Sequence, residues 1–255
     1  MSDAVAQESR LKPASLQNVD ILLIRENVGG LYQGKWMEGC TSSGERIAEQ
    51  TFGYTGSQIQ RIMEVAVHIA MDRRGIVDVV IKDGGVPTIS KLWRDCALEA
   101  SRKAGIECRL LNVDLAGYQL IQHPQHFDVM VAPNLFGDIL ADLGGVLLGS
   151  RALSFSGNFS QAGAAVYQTN HGSALDIAGH GRANPIGQIG SLAMLLRESL
   201  GLAREASWIE ESVAAVLAGG HRPFDVAGEG ERTVGCAEMG ERVAEEVRRR
   251  ARSAE

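Results

Sequence analysis

Four short apolar runs, residues 19–24, 77–81, 108–111 and 127–132, punctuate the first half of this chain, with longer stretches between them. Runs of four to six apolar residues with little alternation suit strands buried on both faces. Between the first two, Ile59, Ile62, Val65, Ala66 and Ile69 recur at helical spacing, and after the second, Leu92, Trp93, Cys96 and Ala100 do the same. Strands alternating with helices predict βα units. The fold class expected is therefore α/β, a mostly parallel sheet with flanking helices. The first helix is expected to end near Arg73-Arg74-Gly75, where cations complement the helix dipole and glycine supplies a left-handed cap. From Ala183 onward the pattern turns helical. Asn184-Pro185 offers an N-cap and first-turn pair ahead of Ile186, Ile189, Leu192, Ala193 and Leu196. Two more helices are expected near residues 205–218 and 237–250.

Composition narrows the function classes. The 255 residues are 45% hydrophobic, with 25 Lys+Arg against 31 Asp+Glu, so a sizeable core forms without a disulfide or metal staple. A mildly acidic chain with no basic stripe lacks the electrostatic footprint of a nucleic-acid binder. Cys40, Cys96, Cys108 and Cys236 are widely spaced and form no zinc or redox motif, which suits reduced thiols in the cytoplasm. The polar, acidic start has no signal-peptide pattern, and no apolar run reaches the roughly 18 residues of a membrane span. A cytoplasmic protein with no membrane partner is expected. Thirty glycines imply tight turns or backbone approached closely by a ligand, the first hint of a small-molecule site.

All four apolar runs end in polar groups: Arg25-Glu26-Asn27, Lys82-Asp83, Asn112-Val113-Asp114 and Pro133-Asn134. In open α/β sheets the ligand crevice lies beyond the carboxyl ends of the strands, so these residues are candidates for one site. Any one alone is equally a solvated strand end. Asp138 and Asp142 lie four apart on one face of an apolar helix, where they repel unless something positive sits between them. A divalent cation would serve, and Asp114 would complete a three-carboxylate oxygen site suited to Mg²⁺ or Mn²⁺. The alternative is that Asp138 merely favours a helix N-terminus and Asp142 is solvated. His171-Gly172-Ser173-Ala174-Leu175-Asp176-Ile177 is a Gly/Ser segment that a ligand backbone or phosphate can approach, with Asp176 able to accept from ribose hydroxyls; the same segment reads equally as a plain turn.

Three segments carry a resemblance to a known family. Arg25 through Gly34, Asn134 through Asp142, and His171 through Gly179 with Ala183-Asn184-Pro185 resemble, in order, signature segments of the isocitrate/isopropylmalate dehydrogenases. These β-decarboxylating enzymes oxidise a 2-hydroxy acid with NAD(P)⁺ and Mg²⁺ or Mn²⁺ and then release CO₂. The resemblance implies that Arg25 grips the substrate carboxylate. Tyr32 would protonate the enol, and Lys82, contributed by a partner subunit, would help deprotonate the substrate hydroxyl. Asp138 and Asp142 would be metal ligands, with Asp114 reaching in from the other subunit of a homodimer. His171, Gly172, Ser173, Asp176, Ile177 and Asn184 would bind the adenosine side of the cofactor, Asp176-Ile177 being the version that prefers NAD. The implied domains are a frayed N-terminus (1–14), a middle domain carrying the metal and substrate site and the dimer contact (15–148), and a remnant of the nucleotide-binding domain (149–255).

The departures are equally specific. About the first hundred residues of the family pattern, with the nicotinamide-side segment and two further substrate arginines, have no counterpart here. After Lys82 the usual small residue and Asn become Asp83-Gly84-Gly85, and ahead of His171 the usual Phe-Glu-Pro becomes Tyr167-Gln168-Thr169. Three functions follow as expectations: a β-decarboxylating dehydrogenase completed by a partner chain in a hetero-oligomer; a non-redox, Mg²⁺-dependent decarboxylase or hydrolase acting on a phosphorylated or nucleotide-like substrate; and a non-catalytic regulatory subunit.

Overall fold

The computed structural model describes Leu11 and residues 13–254, which form two compact units: residues 18–144, and residues 145–254 together with the described residues up to Gln17. The loose start expected over residues 1–14 lies almost wholly outside the described residues.

In the first unit, strands β1 (Leu22–Arg25), β4 (Ile76–Ile81), β5 (Glu107–Asn112) and β6 (Val129–Ala132) pair in the order β1-β6-β4-β5, every pair parallel. The α/β class with a parallel sheet is as expected. Helices α1 (Gly56–Met71), α2 (Pro87–Ala104) and α3 (Val113–Gln122) connect the strands, and α4 (Asn134–Leu147) follows β6. Helix α1 opens on a reciprocal cap in which Thr55 accepts from the Gln58 N–H and Gln58 accepts from the Thr55 N–H. Its buried stripe, Ile59, Met63, Ala66, Val67 and Ala70, packs with Val77, Val79, Trp93, Val129 and Val131 in the main core.

Four details depart from the sequence expectations. Helix α1 ends at Met71, close to the expected stop, and Gly75 at φ 71° donates its N–H to the Ala70 carbonyl at 2.9 Å as the left-handed cap, but the two arginines turn to another partner: Arg73 Nε donates to the buried carboxylate of Asp128 at 2.6 Å and the Arg74 N–H donates to the same carboxylate at 2.8 Å. An antiparallel hairpin, β2 (Lys35–Cys40) with β3 (Arg46–Thr51), occupies what reads as a Gly-rich stretch; it is almost wholly exposed, so it carries no burial pattern to read. Asp114 belongs to the first turn of α3 and not to a strand. Asp78 sits at the centre of β4 only 1% exposed, held by Arg109 of the neighbouring strand through two bonds of 2.8 and 2.7 Å. Burial raises the Asp78 pKa despite the opposing pull of Arg109.

The second unit contains a further unanticipated hairpin, β7 (Phe155–Phe159) with β8 (Ala165–Thr169), and helices α5 (Ile186–Glu198), α6 (Ala203–Ala218) and α7 (Cys236–Ser253). Its core gathers Leu153, Ile186, Val216, Leu217, Val226, Met239 and Val243. Helix α5 starts one residue later than expected. Pro185 takes the cap position, and Asn184 Oδ1 accepts the Ile186 N–H at 3.0 Å. Arg197 of α5 grips Glu210 of α6 through bonds of 2.6 and 2.7 Å.

Replacing Arg109 by Met strands a buried carboxylate, and urea unfolding at neutral pH is expected to show a loss of about 3 kcal/mol. The sign of the pH response follows from the raised Asp78 pKa. The ionised form penalises folding above that pKa, so the deficit of R109M shrinks as acidification protonates Asp78.

Candidate active site

Because the four strands are parallel, their carboxyl ends share one edge, where Arg25, Lys82, Asn112 and Asn134 emerge. The turn after β1 is organised by Glu26, which is 1% exposed and accepts from the Val28 and Gly29 N–H groups at 2.9 and 2.8 Å and from Arg61 at 3.0 Å. Gly30, at φ 82°, lies so near Tyr54 that a Cβ there would meet the phenol oxygen at 2.1 Å. That oxygen accepts the Asn134 N–H at 2.8 Å, and the Asn134 side chain donates to the Gly29 carbonyl at 2.9 Å. Burial pushes the Tyr54 phenol up to about 12, the Asn134 bond pulling the other way, so it stays neutral in this role. The start of α4 is thus tied to the turn after β1.

On that foundation stands one cluster. Arg25 Nε and Nη2 donate to Asn134 Oδ1 at 3.0 and 2.8 Å, and Nη1 donates to Asp138 Oδ1 at 2.6 Å. Tyr32 donates its hydroxyl to Asp138 Oδ2 at 2.9 Å, with the Arg25 guanidinium 5.6 Å from its ring centre. The bond to Asp138 raises the Tyr32 pKa, reinforced by slight burial and the carboxylate charge and opposed by Arg25. Asp142 lies one turn further along α4. For Asp138, a positive charge is present within the chain itself, and it is Arg25.

Lys82 and Asp114 form a separate pair, Nζ to Oδ1 at 2.9 Å, and the lysine lowers the Asp114 pKa chiefly through that bond. The backbone of Lys82 is fixed as well: its N–H donates to buried Ser90 at 3.0 Å, and its carbonyl accepts from Gly85 and Val86. Asp83, the departure after Lys82, is gripped by Arg94 at 2.6 Å and donates its own N–H to Asn112 at 2.9 Å. Among the described residues no three carboxylate, imidazole or thiol groups gather closely enough to hold a metal within one chain. A three-carboxylate site built from a single copy is therefore excluded among these residues; two hard carboxylates one helical turn apart, with water completing the shell, still fit Mg²⁺ or Mn²⁺. Behind the strand ends, an apolar cavity of about 180 Å³ is lined by Leu31, Ile81, Trp93, Pro133 and Phe136 among others.

The second unit carries the third segment by itself. His171, Gly172, Ser173 and Asp176 are exposed, with His171 Nδ1 2.9 Å from the Gly172 carbonyl and Asp176 in the short 3₁₀ turn Leu175–Ile177. Ile177 is half-buried. Asn184 is buried with its side chain spent internally, donating to Asp225 Oδ2 at 3.1 Å as well as capping α5. Ser150 donates to the same oxygen of Asp225. An open Gly/Ser segment with an exposed carboxylate suits the sugar hydroxyls of a dinucleotide. Nothing in the sequence singles out Tyr54, Arg61 or Asp225, and Glu26 and Asn134 stand out only as polar strand ends and as members of the first two signature segments. A lone tyrosine between glycine and threonine, or an aspartate between phenylalanine and valine, carries no periodic signal.

The family model described as isocitrate/isopropylmalate dehydrogenase matches residues 1–243. The chain belongs to that family. A 3-isopropylmalate dehydrogenase of Carboxydothermus hydrogenoformans is 41% identical over 244 residues, covering 94% of this chain and 64% of the relative. One from Priestia megaterium is 40% identical over 242 residues, covering 94% and 65%. The crystal structure of isocitrate dehydrogenase from Methylococcus capsulatus superposes with a TM-score of 0.84 at 35% identity, over 90% of this chain and 68% of that one. The chain thus spans a little under two thirds of the curated relatives it matches. Among the described residues no helix is long and apolar enough to cross a membrane, and the four cysteines are free.

Two outcomes test this geometry. Gly30→Ala must move Tyr54 and adopt a strained φ, and thermal or urea unfolding is expected to show a loss of about 2 kcal/mol. For Lys82 and Asp114, the lowered carboxyl pKa means the pair holds at neutral pH and opens as pH falls through that value. A carbon-detected NMR titration of Asp114 is expected to return to the ordinary carboxylate range in Lys82→Met.

Proposed function

We propose that this chain carries the metal, proton-transfer and adenosine-binding parts of an NAD-dependent β-decarboxylating dehydrogenase acting on a 2-hydroxy acid of the isopropylmalate or isocitrate kind. The observation that carries the reading is the Arg25–Asp138–Tyr32 cluster at the carboxyl edge of a parallel sheet, in a member of this family. Arg25 has the planar fork needed for a substrate carboxylate. Tyr32 holds its proton well above neutral pH, as an acid that delivers a proton to an enol must. Lys82 presents an amine on a rigid backbone to assist loss of the substrate hydroxyl proton. Asp138 and Asp142 would hold Mg²⁺ or Mn²⁺, which when bound polarises the substrate oxygens and stabilises developing enolate charge. The exposed 171–177 segment would hold the adenosine side of NAD, the hydride acceptor, and Asp176 disfavours a 2′-phosphate by charge.

The reading includes a homodimer with shared sites, in which Lys82 and Asp114 of one copy serve the Asp138 and Asp142 of the other. Support comes from the apolar face left open on α3 and α4, where Leu115, Tyr118 and Ile139 are exposed while Gly117 packs the two helices together against Leu140 and Leu143. Trp36 and Met37 on the β2–β3 hairpin are exposed as well. Free thiols fit a cytoplasmic location. A partner chain supplying further substrate-binding groups belongs to the same proposal.

The test is formation of NADH from 3-isopropylmalate or isocitrate with Mn²⁺, with and without candidate partner chains. Lys82→Met is expected to lower kcat at least about a hundredfold. If sites are shared, mixing K82M with Asp138→Asn regains activity that neither variant has alone. Complementation failing in mixed dimers that demonstrably form would overturn the shared site.

A further inference from the structure

We propose that Arg25 is the site's own stand-in cation, occupying the position of a divalent metal at Asp138 until the metal displaces it. The inference rests on the reading above that Asp138 and Asp142 hold that metal. A carboxylate has two oxygens, and both of Asp138's are taken: Oδ1 by Arg25 Nη1 at 2.6 Å and Oδ2 by the Tyr32 hydroxyl at 2.9 Å. Each oxygen keeps a second lone pair, but a metal that coordinates here meets a guanidinium held 2.6 Å from Oδ1, and two cations at such range repel until the guanidinium moves away.

The guanidinium is placed for this by more than charge attraction. Its other two nitrogens share Asn134 Oδ1, so the fork has one orientation and the third nitrogen can only point along α4 toward Asp138. Its stem lies over Gly137, where a Cβ would come within 2.8 Å of Arg25 Cγ. Asn134 is in turn pinned by Tyr54 and the Gly29 carbonyl, so this niche is built into the β1 turn and the start of α4. A lysine has no fork to span both Asn134 and Asp138.

One group therefore serves two partners in succession. While Arg25 neutralises Asp138 it is not available to a substrate carboxylate, and once a metal takes over the aspartate the guanidinium is released for the acid. Metal and acid each bind better after the other has parted Arg25 from Asp138, and by linkage the two gains are equal.

The test is Mn²⁺ binding to the 255-residue chain, read from the resonance of free Mn²⁺ by electron paramagnetic resonance, with no substrate or cofactor present. Arg25→Met keeps the stem and removes the charge and donors; it is expected to bind Mn²⁺ about tenfold more tightly than the unaltered chain, the scale of one charge-assisted bond no longer broken. Tyr32→Phe, which leaves Arg25 in place, is expected to gain about threefold and stands as the independent variant should R25M not fold. Arg25→Lys, still cationic, is expected to fall between R25M and the unaltered chain. If Arg25 merely braces α4 against β1, its removal leaves Mn²⁺ affinity unchanged or weakened; that result in R25M and Y32F, with binding still abolished by Asp138→Asn, would overturn the stand-in role alone. Absence of saturable binding in every form, R25M included, would overturn the metal reading itself.

Discussion

The common direction of the four strands brings Arg25 to Asn134 and Asp138, residues 109 and 113 positions further along the chain. In a parallel sheet each strand must be regained by a crossover, so polar strand ends accumulate on one edge while the helices stay on the faces. Arg25 closes β1, Lys82 follows β4, Asn112 closes β5 and Asn134 opens the helix after β6. Shift one of these strands by a residue and its polar terminus is drawn into the core or left short of the edge. The pair of buried Asp78 with partly exposed Arg109, locked in register between β4 and β5, resists that shift at the price of burying a carboxylate.

The sheet was legible because its two inner strands, β4 and β6, are buried on both faces and almost wholly apolar, Asp78 apart; β6 is the plainest case, from Val129 to Ala132. The two hairpins were not. Lys35–Cys40 is exposed along its whole length and Arg46–Thr51 nearly so, so neither strand shows the alternation that one buried face imposes. Arg73 and Arg74 looked like helix-end cations because local sequence cannot display Asp128, more than fifty positions away. At the site, resemblance to a family pointed to Arg25, Tyr32 and the aspartates, and polar strand ends pointed to the edge that holds them. Tyr54 stayed hidden, since its work consists of one hydrogen bond to a backbone N–H eighty residues on.

The charges at this edge are arranged in self-sufficient pairs. Arg25 answers Asp138, Lys82 answers Asp114, and Arg94 answers Asp83. All three pairs are partly exposed, so each contributes modestly to stability, and their greater effect is to fix where each head group waits. The segment from His171 to Asp176 follows a different logic, with its side chains exposed, while Asn184 further along is turned inward to Asp225 and the start of α5.

Trp93 is sealed from solvent, edge-on to Tyr54 with ring centres 5.4 Å apart, and its indole nitrogen has no hydrogen-bond partner among the described residues. Tyr54 in turn holds the amide on which the start of α4 depends. An indole in so dry a setting emits at short wavelength, whereas Trp36, on its open hairpin, sits in water. Trp208 lies between the two, half-buried with Arg204 over its ring, so of the three tryptophans Trp93 gives the bluest emission, and that edge of the spectrum is an optical gauge of the floor beneath Asn134.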